Sequence, residues 1–180
     1  MAWFVERRAI IMFVVLFGVF MGAYFLVMAT ATARERFFPA YLELNADASA
    51  GILRLFGYDA TARGTLVTAP GAPLDIRRGC DAVDPTALFV AAVLAFPARF
   101  KFKIPGALMG TLILAVVNLI RIVSLFFVRM YLDDWWFEVM HVDVWQVAFI
   151  ALALLLWILW AAWATRDRSP KPDAAVQEAA

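Results

Sequence analysis

IPGALMGTLILAVVNLIRIVSLFFVRM, residues 104–130, is apolar almost throughout, yet it holds one charge well inside it, Arg121. A helix needs about 20 such residues to cross the hydrocarbon core of a bilayer, so this run reads as a membrane span, long enough to tilt. A charge inside a span is costly and usually functional. Asn118 stands three residues before Arg121 and Ser124 three after, which puts all of them on one helix face.

Working outward, the run is preceded by the basic Arg99-Phe100-Lys101-Phe102-Lys103 and followed by an acidic stretch, Leu132 to His141, with Asp133, Asp134 and Glu138. Beyond it a second apolar run extends from about Val142 to Trp163, with Trp145, Trp157, Trp160 and Trp163 as interface anchors. Upstream lies a short run over about 81–98, whose Asp84-Pro85 reads as a helix cap and first position. The first run, Ile10 to Met28, follows Arg7-Arg8; it is longer than the apolar region of a cleaved signal, so it reads as an uncleaved span despite the Ala29-Thr30-Ala31 behind it. The expected fold is therefore an all-α integral membrane protein with four spans, at about 10–28, 81–98, 104–130 and 142–163. Residues 165–180 read as a disordered cytoplasmic tail.

The positive-inside rule puts the N-terminus, the 99–103 loop and the tail in the cytoplasm. The segment 32–79 and the acidic stretch then face outward. Within that outer segment Pro39 to Phe56 reads as a helix lying on the membrane surface or capping the bundle, with Tyr41, Leu44, Ala48, Ile52 and Leu55 as its apolar face and Gly57 as its C-terminal cap. Thr61–Ala69 and Leu74–Arg77, separated by Pro70-Gly71-Ala72-Pro73, read as a small β-hairpin.

The hairpin delivers Cys80, the chain's only cysteine, to the outer end of the second span. His141, the only histidine, opens the last span on the same side. Arg121 sits about nine residues from the outer end of its span, about 13 Å deep at the helical rise, and its long side chain can reach back up. A thiol, an imidazole and a guanidinium converging on one leaflet are the parts of a thiolate nucleophile site, and none of the three is among the loop charges that set the sidedness. The reading assigns Cys80 as nucleophile, His141 as proton carrier and Arg121 as stabiliser of the thiolate, the oxyanion or both. Arg77 and Arg78 are further cations that could lower the thiol's pKa. Asn118 either orients Arg121 or binds the substrate backbone.

Composition narrows the alternatives. The chain is 64% hydrophobic, where a soluble domain is nearer half. A net charge of +1 gives no reason to expect nucleic acid. One cysteine rules out an intrachain disulfide and a CxxC redox pair. No clustered ligands suggest a metal, and no cofactor motif is present. Gly18-x-x-x-Gly22 and Gly106-x-x-x-Gly110 read as small-residue packing faces. Two other readings fit the same residues: a non-catalytic assembly or anchoring protein held by polar contacts, and a purely hydrolytic intramembrane-type cysteine protease.

Arg78-Gly79-Cys80-Asp81 after a hairpin, Asn118-x-x-Arg121 on a span and His141 at the start of the last span occur in an order and spacing that resembles the exosortase/archaeosortase family. The compact core is most similar to the type called exosortase H. Many members follow the cysteine with Ser/Ala-Gly, whereas this chain has Asp81-Ala82. The resemblance implies a membrane-embedded transpeptidase of the bacterial inner membrane with its site facing outward. Its substrates would be secreted proteins that end in a short motif, a transmembrane helix and a basic cluster. It also implies a thioester intermediate and transfer to an acyl acceptor that the sequence does not identify.

Overall fold

The computed structural model describes residues 2–70 and 72–166, with the side chains of 2–6 and 72 left aside. Helix α1 (Ala2–Met28) is apolar on all sides beyond Arg8 and packs along α3. It ends where Thr30 takes over its last turn: the hydroxyl donates to the Val27 carbonyl at 2.7 Å and accepts from the Ala33 N–H at 3.2 Å. A π-helical turn, Ala33–Phe37, leads into α2 (Phe38–Leu55), which has Pro39 in its first turn. Helix α2 stops at Gly57 (φ +86°), where the Gly57 N–H bonds the Arg54 carbonyl and the Tyr58 N–H the Leu53 carbonyl, the paired closure that the left-handed residue allows.

The buried face of α2 is Leu42, Ala46, Ala50 and Leu53, not the predicted face, since Leu44 and Leu55 are 64% and 88% exposed. Alanines and Ser49 on this side let α2 approach α4 and the sheet closely, and that close packing outweighs burial of the larger leucines. With Val67, Leu74, Ile76, Ile122, Val123 and Phe126 they form the core at one end of the molecule.

The expected hairpin is a three-stranded antiparallel meander: β1 (Thr61–Arg63), β2 (Leu66–Ala69) and β3 (Ala72–Asp75), in that spatial order. The predicted first strand folds back on itself at Gly64, whose φ of +59° supplies the tight turn. Pro73 is tolerated opposite Thr68 because β3 is an edge strand.

Helix α3 (Val83–Ala95) begins two residues before Pro85. Ala82, the residue ahead of it, is left-handed (φ +54°, ψ 16°), and Asp81 accepts the Val83 N–H at 3.2 Å. Asp84 is not the cap; its carboxylate accepts the Tyr24 hydroxyl of α1. With 13 residues α3 is about 20 Å long, against a hydrocarbon core of about 30 Å. It contacts α1, α4 and α6.

Helix α4 (Phe100–Tyr131) starts ahead of the predicted boundary. The acidic stretch behind it is helical: α5 (Asp134–Glu138), capped by Asp133, runs through a π-helical segment, Val139–Val144, into α6 (Trp145–Arg166). His141 therefore lies inside a continuous helical rod rather than opening it. Three helical stretches among the described residues are long and apolar enough to cross a membrane: Arg7–Met28, Phe100–Tyr131 and Asp134–Arg166. Phe89, Val93, Leu114, Phe149, Ala153 and Trp160 form the core between them. Gly106 and Gly110 are needed there, because a Cβ at either would overlap Trp160 or Phe89. A Cβ at Gly18 or Gly22 would meet nothing within 4 Å among the described residues. Of the expected tail only Thr165 and Arg166 are described, as the end of α6.

Candidate active site

Cys80 sits between the end of the sheet and α3, in a segment whose backbone is forced into a sharp path by Gly79 (φ +97°) and Ala82 (φ +54°). The Cys80 N–H bonds the Arg77 carbonyl at 3.0 Å, closing the turn. From this turn the sulfur faces the His141 ring, 3.3 Å from Nδ1 and 3.6 Å from Nε2. The imidazole is stacked against Phe137 one turn earlier, with ring centroids 5.7 Å apart and planes 12° from parallel. The π-helical segment that carries it has a wider turn than an α-helix, a local change often found at functional sites.

Arg121, 3% exposed, joins the two. Its Nη1 donates to the Gly79 carbonyl and its Nη2 to the His141 carbonyl, both at 3.1 Å. One guanidinium thus fixes the backbone on the thiol side and on the imidazole side, which a planar fork with several donors can do and a point charge cannot. Nε has no hydrogen-bond partner among the described residues. Ser124 completes this face: its hydroxyl donates to the Arg121 carbonyl at 2.7 Å and accepts the Trp145 indole N–H at 3.1 Å. Cys80 and His141 open onto a cavity of about 520 Å³, apolar on the side of Ile122 and Leu125 and charged on the side of Asp75, Arg77 and Glu138.

A family model for transmembrane exosortases, of the EpsH type, matches residues 2–159, nearly all of the described chain. The chain belongs to the transmembrane exosortase family. Membership carries a membrane transpeptidase-type role in general terms. No curated protein and no solved structure matches the chain.

In this exosortase the electrostatics of the thiol differ from the expectation. Burial pushes the Cys80 thiol above its ordinary value; the Arg121 charge pulls it down without reversing the shift, and Asp81 adds to the rise. Neither neighbouring arginine is free to help. Arg77 is paired with Asp75 at 2.9 Å, and the Arg78 guanidinium lies 4.1 Å from the Phe38 ring centre. The first N–H of α3 is already taken by Asp81. Burial thus favours the protonated form of the thiol.

Asn118 is wholly buried, and its side-chain amide donates to Asn45 Oδ1 on α2 at 3.2 Å rather than to Arg121. Asn45, Tyr41, Ser124 and Trp145 are site neighbours that sequence alone did not place at the site. Asn45 carries the clearest signal: an amide three residues from Leu42 and one from Ala46, on a largely apolar face. Trp145 read as a membrane anchor because the distance to Ser124 cannot be seen along the chain.

Proposed function

We propose that this exosortase is a cysteine transpeptidase that cleaves C-terminal sorting signals of secreted proteins and transfers the released acyl group to an acceptor. The observation that carries this reading is the 3.3 Å approach of Cys80 Sγ to His141 Nδ1 beside a buried guanidinium. With burial favouring the protonated thiol, His141 takes its proton first. The thiolate then attacks the scissile carbonyl, and the charge that develops on sulfur and then on oxygen lies near Arg121. Collapse of the tetrahedral adduct breaks the C–N bond. His141 returns the proton to the leaving amine, and the acyl group stays on Cys80 as a thioester. An acceptor nucleophile gives its proton to His141 and displaces the thiol. Water in place of the acceptor would give hydrolysis.

In this reading α3 with its flanking residues forms a fourth, short span. The site faces away from the cytoplasm of the bacterial inner membrane, which the basic 99–103 loop supports. A scissile bond just above a substrate's transmembrane helix would meet Cys80 at the start of α3. The test is intact-mass spectrometry of the purified protein with a substrate C-terminal segment in detergent. The wild type should accumulate an adduct labile to neutral hydroxylamine when acceptor is withheld, and Cys80→Ala should leave substrate intact. Cleavage by Cys80→Ala, or an adduct on another residue, would refute the assignment. A free carboxylate on the product would indicate hydrolysis, and an added mass would indicate transfer.

A further inference from the structure

The carbonyls of the residues before and after Cys80 are held by two different helices. Arg121 of α4 takes the Gly79 carbonyl at 3.1 Å, and the Tyr41 hydroxyl of α2 donates to the Asp81 carbonyl at 3.2 Å. Tyr41 is itself tied down. Asn45 Nδ2 donates to the Tyr41 backbone carbonyl at 2.8 Å, and Asn118 of α4 donates to Asn45 Oδ1 at 3.2 Å. The ring of Tyr41 stacks on Phe37, with centroids 5.7 Å apart and planes 6° from parallel. One turn away Phe38 carries the Arg78 guanidinium on its face. Phe38, Tyr41 and Asn45 are spaced by three and four residues, so a single stripe of α2 grips the chain on both sides of the nucleophile.

We infer that α2 is the positioning element of the nucleophile, with Tyr41 and Asn45 as positioning residues, and that Asn118 acts on the reaction through them. The inference rests on the assignment of Cys80 as nucleophile. It replaces both roles considered for Asn118, orienting Arg121 and binding substrate. Asn118 is wholly buried and out of a substrate's reach, and its donor goes to α2. The grip has work to do because the segment is conformationally costly. Ala82, a residue with a Cβ, holds a left-handed conformation, and Gly79 lies at a positive φ that side chains rarely adopt. Without the tie on the Asp81 carbonyl that peptide could rotate toward a relaxed conformation and swing the sulfur away from His141.

Tyr41→Phe isolates the tie, since it removes one hydroxyl, keeps the ring stack and leaves Arg121, Asp81 and His141 in place. The measurement is the rate of Cys80 alkylation by iodoacetamide against pH, on the full chain in detergent, with accumulation measured in parallel. It needs no sorting substrate, so its outcome is separate from whether the protein processes one. Tyr41→Phe should lose about ten-fold or more in alkylation rate at neutral pH, where the reaction needs the imidazole nearby. It should match the wild type at a pH high enough for the thiol to ionise unaided. Adding Asn118→Ala to Tyr41→Phe should cause little further loss, because both act through one strut. An unchanged profile in Tyr41→Phe would overturn the inference. So would a fall in accumulation with a normal profile, which would make Tyr41 a packing residue, or strictly additive losses in the double variant.

Discussion

Arg121 and His141 are joined through the backbone: the guanidinium Nη2 donates to the His141 carbonyl at 3.1 Å while Nη1 holds the Gly79 carbonyl, so a single buried cation sets the gap between imidazole and thiol. Arg121→Lys keeps the charge and loses the fork. Hydrogen bonds to charged groups contribute about 1.5–3 kcal/mol each, so losing even one should lower processing roughly ten- to hundred-fold. The check is the cleavage rate of a sorting-signal reporter, normalised to the amount of protein in the membrane. Near-wild-type rates in Arg121→Lys would mean that only charge matters.

Ser124 and Trp145 pin the far end of the His141-bearing segment to α4. Trp145→Phe removes the donor and keeps most of the ring. It should reduce processing, and Ser124→Ala should reduce it too, with the double variant no worse than the poorer single one. That non-additivity, measured as a double-mutant cycle, separates a shared contact from two independent packing defects.

Gly79→Ala has open space around the new methyl, so any effect comes from the backbone. At φ +97° an alanine should cost about 1–2 kcal/mol. Thermal melting in detergent should show the loss, and processing should fall further than the melting shift accounts for, since the Gly79 carbonyl is one of Arg121's two anchors.

Gly110→Ala should be more damaging to the fold than to the chemistry. A methyl there overlaps the Phe89 ring of α3, and overpacked cores lose about 1–3 kcal/mol. Gly22→Ala on α1, where nothing among the described residues lies within 4 Å, should melt like the wild type. Equal melting of the two would contradict the α3–α4 packing.

Cys80 should also leave a mark on stability. Its folded thiol holds its proton more tightly than an ordinary cysteine, mainly because it is buried. That contribution is complete below the ordinary thiol value of about 8.5 and is lost as pH rises through the higher folded value. The wild type should therefore lose melting temperature over this alkaline range faster than Cys80→Ser. Parallel curves would place the thiol in a solvated environment.

The sequence by itself determined the long apolar helices, the helix of the outer segment with its Gly57 terminus, and the identity of the three polar groups that meet at the site. Each is a local property: hydrophobic length, the φ that glycine permits, and the rarity of a charge, thiol or imidazole in such a chain. What lay beyond local reading was set by contacts between segments distant along the chain. The run 61–69 became two strands because β2 could pair on both edges once Gly64 turned. The buried stripe of α2 is its small residues, because closeness to α4 mattered more than the size of Leu44 and Leu55. Arg78 went to Phe38 and Asn118 to Asn45, each a partner dozens of residues away. The direction of the thiol's shift was decided in the same way. Spacing showed cations near Cys80, but only the packed structure shows that they are engaged elsewhere and that burial prevails. Periodicity reports which face of an element is apolar, whereas the direction of a polar side chain is decided by which donor or acceptor the tertiary fold brings within about 3 Å.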